Sequence, residues 1–166
     1  MRSTRAARSP RATTERSRAV ATTDQRLRVL FLCTGNSCRS QMAEGFARAL
    51  KSDSVEAHSA GTDPHGMNAR AVRAMAEVGI DLSTHHSKHV DSLRDVRFDV
   101  VVTVCDSAHE ACPTFPGARV VHVGFDDPPR LAQSARTDDE AMPHYRRVRD
   151  QIRAFVETLP HSLTDR

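Results

Sequence analysis

The stretch that decides the fold runs LRVLFLCTGNSCRSQMAEGFARAL, from Leu27 to Leu50. It begins with an almost wholly apolar run that has the length of a buried strand and ends at Cys33. From Ser40 onward, apolar side chains recur at helical spacing. The stretch therefore predicts a strand, a tight loop and an amphipathic helix.

The alternation of strands and helices continues along the chain. Apolar runs predict strands at 55–59, 98–104 and 118–123, and helical periodicity predicts helices over 68–78 and 139–159. The run FDVVVTV is nearly continuous in β-branched residues, which indicates a strand buried on both faces, as in a parallel sheet. The pattern as a whole indicates an α/β domain whose parallel sheet is covered by helices.

Three segments with reactive side chains directly follow predicted strands: Cys33, Cys105 and the loop 124–129. In open parallel sheets, ligands bind beyond the carboxyl ends of the strands. We therefore expect these three segments to converge on one rim of the sheet, although they are far apart in sequence.

The loop that starts at Cys33 has the form C-x5-R followed by Ser40. A loop that enters a helix directs backbone N–H groups at a common centre, and the helix dipole favours an anion there. Arg39 can add a bidentate guanidinium contact. The residues expected to bind a tetrahedral oxyanion are Thr34, Gly35, Asn36, Ser37, Cys38 and Arg39. The same field would lower the pKa of a nucleophilic Cys33 from about 8.5 to about 3.5–7.5, with Ser40 donating a hydrogen bond to the sulfur.

Four cysteines are present, namely Cys33, Cys38, Cys105 and Cys112. Their spacings contain no C-x-x-C knuckle, which disfavours a zinc site. In a reducing compartment persistent disulfides are rare, so the thiols are expected to serve redox or nucleophilic chemistry.

Residues 1–26 differ in composition from the rest of the chain. Through Arg28 there are eight arginines against two acidic residues, a local charge of +6; the whole chain is +3, so the remainder carries −3. We expect a disordered Arg-rich extension over 1–26 and a folded domain over 27–166. An organellar transit peptide is a weaker alternative for the extension. Because the folded part is mildly acidic, no nucleic-acid partner is expected, and without an apolar signal or spanning segment we expect a cytoplasmic protein with no membrane contact.

Four motifs together resemble one family. They are CTGNSCRSQMAEGFARAL at 33–50, HSAG at 58–61, VVTVC-x6-C at 101–112 and GFDDP at 124–128. In combination they are similar to the thioredoxin-coupled arsenate reductases, which share the low-molecular-weight protein tyrosine phosphatase fold. The resemblance spans roughly residues 27–159 and implies a three-layer αβα, flavodoxin-like domain with a central four-stranded parallel sheet.

The resemblance also implies a relay of thiols. Cys33 would attack arsenate, with phosphate and sulfate as competing oxyanions. Cys105 would attack Cys33 and release arsenite, and Cys112 would then attack Cys105. The last disulfide would be reduced by thioredoxin as an external reductant, and no bound cofactor is implied. The reductant itself stays open, because glutaredoxin or a small thiol could replace thioredoxin.

The resemblance assigns the general acid to the aspartate before Pro128, which is Asp127. A carboxylic acid on that loop would protonate the leaving oxygen. Its neighbour Asp126 is the alternative.

The seven-residue separation of Cys105 and Cys112 leads to a prediction about the geometry of their disulfide. If residues 105–112 were helical, the two cysteines would lie about 10.5 Å apart along the axis. A disulfide needs Cα atoms roughly 4.4–6.8 Å apart. The segment must then unwind when the disulfide forms, which predicts a conformational switch.

Some reductases of this kind hold potassium behind the loop, and the matching ligands would be Asn36, Glu44 and Ser59. The remaining ligand, an aspartate in the family, aligns with Lys88. An ammonium cannot ligate a cation, so we expect Lys88 to supply the positive charge next to Glu44 and potassium not to be required. An exposed Lys88 without a partner is the alternative.

Two other functions remain open. One is a low-molecular-weight phosphatase that hydrolyses phosphate monoesters through a Cys33 phosphocysteine. Pro129 and Arg130 follow the Asp-Pro pair and Tyr145 is the single tyrosine, which leaves little to stack on an aryl ring. The other is a non-enzymatic arsenic or thiol sensor that uses the basic extension.

Overall fold

The computed structural model describes residues 25–165 of the chain. Residues 1–24 lie outside the described part of the chain. The disorder predicted for residues 1–26 therefore stays a prediction.

A four-stranded, fully parallel sheet forms the centre of the molecule. Its strands are β1 (Leu27–Cys33), β2 (Val55–Gly61), β3 (Val100–Thr103) and β4 (Arg119–His122), in the order β2-β1-β3-β4. All four residues of β3 are buried, whereas the edge strand β4 is partly exposed along its length. The predicted parallel sheet, with a central strand buried on both faces, is confirmed.

Helices cover the sheet in a three-layer αβα arrangement, as predicted. They are α1 (Arg39–Leu50), α2 (Ala69–Ala76), α3 (Asp106–Glu110), α4 (Pro128–Leu131), α5 (Asp138–Glu157) and α6 (His161–Thr164), with a 3₁₀ turn at Val90–Leu93. Helix α5 packs against α1, α2 and α4, while α3 contacts β1 and β3. Within the described residues, no helix has the length and apolar character needed to cross a bilayer.

Element boundaries differ from the predicted ones by at most two residues, for local reasons. Asn68 lies before α2 rather than in it, because its side chain caps the N–H groups of Arg70 and Ala71. The predicted final helix stops at Glu157 because Pro160 follows and disfavours helical backbone just before it.

Sheet register brings the reactive segments together. Cys33 pairs with Gly61 at the carboxyl ends of β1 and β2, and Leu32 pairs with Thr103 at the end of β3. A Cβ at Gly61 would overlap the carbonyl oxygen of Thr34, so this strand end tolerates only glycine. The loop after Cys33 therefore passes directly over the end of β2.

Candidate active site

The loop between β1 and α1 is held in shape by Asn36. Asn36 is fully buried and has a positive φ of 45°, which is uncommon outside glycine. Its side-chain Nδ2 donates to Ser40 Oγ at 2.9 Å and to Ser59 Oγ at 3.0 Å. Its Oδ1 accepts from Gln41 Nε2 and from the Lys88 N–H, both at 3.0 Å. Hydrogen bonds from three other segments thus compensate for the strained backbone.

The Cys33 sulfur lies at the end of β1 and is almost fully buried. Ser40 Oγ lies 2.8 Å from it, and the Asn36 N–H donates to it at 3.1 Å. Burial raises the pKa of the Cys33 thiol above its ordinary value, and the hydrogen bonds from Ser40 and Asn36 offset part of that rise. The sequence prediction of a lowered pKa is therefore wrong, because the loss of water outweighs the hydrogen bonds.

Arg39 connects the Cys33 loop with the 124–129 loop. Its guanidinium donates to the Phe125 carbonyl at 2.9 Å and lies 3.2 Å from Asp127 Oδ1. The only arginine of the loop is thus engaged with the 124–129 loop. Asp127, which was assigned as the general acid, is drawn to the site by this contact.

The two adjacent aspartates face different ways. Asp126 Oδ2 accepts from Arg147 of α5 at 3.1 Å, whereas Asp127 borders the same cavity as Cys33. The geometry therefore favours Asp127 over Asp126 as the residue that can act on a ligand near the sulfur.

A cavity of about 420 Å³ lies over the Cys33 loop. Its lining includes the sulfur-bearing residues Cys33, Cys38 and Cys105, the loop residues Thr34, Gly35, Ser37 and Arg39, and Asp127. Ser40 and Asn36 lie behind the sulfur rather than in the lining, and Cys112 is also absent from it. The expected convergence of three strand ends holds for Cys33, Cys105 and Asp127. Asn36 supports the loop from behind, and its expected place among the oxyanion-binding residues stays a prediction.

Cys38 occupies the N-cap position of α1 and is buried. Burial raises the pKa of its thiol, and the positive charge of Arg39 opposes this only in part. Cys38 therefore packs as a neutral side chain at the helix start.

Cys105 occupies the N-cap position of the short helix α3, is buried, and borders the same cavity as Cys33. Thr34 Oγ1 lies 3.5 Å from the Cys105 sulfur, so the residue after the nucleophile contacts the second thiol. All four cysteines are in the free thiol form.

Cys112 lies two residues beyond the end of α3. Its N–H donates to His109 O at 3.4 Å, and its sulfur contacts Pro113 O at 3.5 Å. Residues 106–110 are helical, which is the central part of the segment 105–112 considered in the sequence. That a Cys105–Cys112 disulfide requires α3 to unwind stays a prediction.

Lys88 lies beside Glu44 behind the loop. Its Nζ is 3.9 Å from Glu44 Oε2, and Arg48 is 2.6 Å from Glu44 Oε1. The Ser59 hydroxyl also donates a short hydrogen bond to Glu44. Burial lowers the pKa of Lys88, and the charge of Glu44 counteracts this. Two cationic side chains thus compensate the buried carboxylate, and Lys88 is not the exposed, unpartnered residue of the alternative interpretation.

Three contributors were missed by the sequence analysis. Gln41 donates to both the carbonyl and the side chain of Asn36. His65 borders the cavity and packs on Gly35. The Thr103 hydroxyl is hydrogen-bonded to two histidines near α3. No local pattern marks these residues, because each acts through a partner that is distant in sequence.

Comparison with known proteins identifies the family. Residues 28–166 match the family described as low molecular weight phosphotyrosine protein phosphatase. The chain is 47% identical over 135 residues to the arsenate reductase of Bacillus subtilis (strain 168), covering 78% of this chain and 95% of the relative. It is 46% identical over 131 residues to the arsenate reductase of Halalkalibacterium halodurans, covering 78% and 92%.

Solved structures share the fold. An arsenate reductase in the phosphate binding state has a TM-score of 0.69 and 30% sequence identity, and the match covers 83% of this chain and 99% of that one. A low molecular weight protein tyrosine phosphatase from T. tengcongensis has a TM-score of 0.64 at 24% identity, covering 82% and 99%. The chain belongs to the low molecular weight phosphotyrosine protein phosphatase family, in its arsenate reductase branch.

Proposed function

We propose that this chain reduces arsenate to arsenite, in arsenic detoxification, through a relay of Cys33, Cys105 and Cys112 that thioredoxin regenerates. The observation that carries the proposal is the position of Cys105. A second thiol borders the oxyanion cavity and contacts the residue next to the nucleophile, and a hydrolytic phosphatase needs no such group.

In the first step the Cys33 thiolate attacks arsenic(V). A sulfur–arsenic bond forms and one arsenate oxygen leaves as water, with a proton supplied by Asp127. Arg39, at the same cavity, provides the positive charge for the bound oxyanion.

In the second step the Cys105 thiolate attacks the Cys33 sulfur. The sulfur–arsenic bond breaks and its electron pair stays on arsenic, which leaves as arsenite. The two thiols have lost two electrons, arsenic has gained two, and a Cys33–Cys105 disulfide remains. The Thr34 contact with Cys105 supports this step.

In the third step the Cys112 thiolate attacks the Cys105 sulfur, and Cys33 leaves as a thiolate. The Cys105–Cys112 disulfide forms as α3 unwinds, and thioredoxin reduces it by thiol–disulfide exchange. A relay of this kind needs a compartment that keeps thiols reduced, so we place the reaction in the cytoplasm.

The test replaces one resolving thiol at a time. Cys112→Ser should release about one arsenite per enzyme and stop with Cys33 joined to Cys105, while Cys105→Ser should release none. Ala111→Ser, which adds the same hydroxyl one position before Cys112, is the matched control and should turn over repeatedly. Arsenite is counted per enzyme with thioredoxin and its reductase present. Repeated turnover by Cys105→Ser would overturn the relay.

Phosphate monoester hydrolysis is the second candidate, because Asp127 and Arg39 lie at the cavity of Cys33 as that reaction needs. We expect it to be weak. Tyr145, the single tyrosine, is buried against Asn68 rather than lining the cavity, so it offers no surface for an aryl group. Hydrolysis of p-nitrophenyl phosphate should survive Cys105→Ser and be lost in Cys33→Ser.

We also propose that residues 27–166 form the complete catalytic domain. Removal of residues 1–24 should leave the kcat/KM for arsenate unchanged. A loss of turnover would instead give the basic extension a role in the reaction.

A further inference from the structure

A polar cluster ties helix α3 to the ends of β3 and β4. Its members, which we call the Thr103 cluster, are Thr103, Asp106, His109 and His122. The Thr103 hydroxyl lies 3.1 Å from His109 Nδ1 and 2.9 Å from His122 Nδ1. The other ring nitrogen of His122, Nε2, lies 3.1 Å from Asp106 Oδ1. The two imidazole rings are 4.5 Å apart.

With Asp106 ionised and both imidazole rings neutral, the donors and acceptors in this cluster fit one consistent direction. An ionised carboxylate only accepts, so His122 Nε2–H donates to Asp106. In the neutral ring, His122 Nδ1 then accepts from the Thr103 hydroxyl. The Thr103 oxygen in turn accepts from His109 Nδ1–H. Each hydrogen bond polarises the next, so the chain is stronger as a whole than its separate bonds.

The cluster holds both ends of α3. Asp106 is the first residue of the helix and His109 belongs to its last turn, while Thr103 is fully buried at the end of β3. Helix α3 lies between Cys105 and Cys112, and it has five residues, too few to be stable alone. Its anchoring to the sheet therefore depends strongly on side-chain contacts such as these.

We propose that the Thr103 cluster is a latch that keeps α3 folded in the reduced protein and sets the redox potential of the Cys105–Cys112 pair. This inference rests on the proposed relay. When Cys112 attacks Cys105, α3 has to unwind, and His109 and Asp106 are carried away from Thr103 and His122. The latch is thus closed in the dithiol form and open in the disulfide form.

This difference has a definite sign. Interactions present only in the dithiol form stabilise it, which makes the disulfide easier to reduce and raises its potential. The exchange itself balances: a sulfur–sulfur bond forms between Cys105 and Cys112, the Cys33–Cys105 bond breaks, and Cys33 leaves with the electron pair. The latch slows this exchange. It also favours reduction of the Cys105–Cys112 disulfide by the external thiol. Thr103, His109 and His122 are therefore positioning residues.

The test measures the equilibrium between dithiol and disulfide in full-length protein carrying Cys33→Ser, which isolates the Cys105–Cys112 pair. Samples are equilibrated in glutathione redox buffers, and the pair is quantified by alkylation and mass spectrometry. Thr103→Val removes the hydroxyl at constant shape, and Thr103→Ser is its matched control. His109→Phe keeps a ring at an exposed position, and Glu110→Gln is a control on the same helix.

The latch predicts that Thr103→Val and His109→Phe shift the equilibrium about tenfold toward the disulfide, a change of about 30 mV to a more negative potential. Thr103→Ser and Glu110→Gln should match the parent. A substitution that destabilises both redox forms equally lowers the unfolding temperature but leaves the redox potential unchanged. Unchanged potentials in both Thr103→Val and His109→Phe would therefore overturn the latch. If the pair forms no disulfide even in oxidising buffer, the relay and the latch both fail.

Discussion

The hydroxyl of Thr34 lies 3.5 Å from the sulfur of Cys105, and Thr34 directly follows Cys33 in the chain. One side chain thus connects the nucleophilic loop with the thiol that is proposed to attack next. The contact joins the ends of β1 and β3, which are neighbours in the sheet.

Thr34→Val should slow release of arsenite in a single turnover by about threefold to tenfold, which corresponds to the loss of one hydrogen bond. The covalent Cys33–arsenic species should accumulate and be trapped by rapid acid quench and mass spectrometry. Thr34→Ser keeps the hydroxyl and should behave like the parent. If both variants release arsenite at the parental rate, Thr34 does not position Cys105.

The raised pKa of Cys33 predicts a pH dependence for its reaction with iodoacetamide. The folded protein retains the thiol proton more strongly than an unfolded chain, so the thiolate fraction should still be increasing as the pH rises from about 7 to about 9. By the same linkage, this group contributes stability that is fully present below the unfolded thiol pKa and is lost as the pH rises from there through the higher pKa of the folded protein. The alkylation rate at Cys33 is followed by site-resolved mass spectrometry.

Ser40→Ala should slow that alkylation at a given pH, because the hydroxyl lowers the pKa of Cys33. A rate that is already constant near neutral pH would contradict the raised pKa and restore the value expected from the loop motif.

Asp127→Asn should lower the first-step rate about 100-fold or more, since general acid catalysis commonly contributes that much. Asp126→Asn is the matched control, because Asp126 binds Arg147 and lies away from Cys33. Stopped-flow measurement of the first turnover distinguishes the two. The reverse order of effects would move the acid to Asp126.

Potassium should not stimulate the reaction. The Lys88 ammonium already lies 3.9 Å from the Glu44 carboxylate. A potassium ion ligated by Asn36, Glu44 and Ser59 would lie close to this ammonium, and the two positive charges would repel each other. We expect kcat/KM values in potassium chloride and sodium chloride of equal ionic strength to agree within about twofold. Lys88→Asp should introduce a potassium preference, while Lys88→Arg should not. Strong stimulation of the parent by potassium would show that Lys88 does not replace the ion.

Asn36→Ala should destabilise the fold by about 2–4 kcal/mol, because four hydrogen bonds to a buried side chain are lost and a non-glycine residue stays at positive φ. Urea unfolding measures the change. Gln133→Ala, on an exposed residue outside the loop, should change the stability by less than about 0.5 kcal/mol. A similarly small effect at Asn36 would mean that the loop keeps its shape without this side chain.

The strand and helix pattern could be predicted from the sequence because it depends on local periodicity. The strand that ends at Cys33, the helix that follows it and the buried run 100–103 each show their burial in their own residues. Parallel strand order also explains why Cys33, Cys105 and Asp127 could be expected at one rim. The exact ends of the helices and strands could not be predicted in this way, because a capping residue such as Asn68 depends on the path of the chain before the helix.

The sequence by itself determined the α/β fold, the oxyanion loop and the set of thiols available for a relay, since these are properties of segments. Only the tertiary structure decided the sign of the Cys33 pKa shift, the contacts of Asp127 with Arg39 and of Asp126 with Arg147, and the pairing of Lys88 with Glu44. It alone also revealed the Thr103 cluster. Each of these depends on burial or on a partner from another segment of the chain. Electrostatic and hydrogen-bond energies depend on those distances and on the exclusion of water, which packing fixes and local sequence does not.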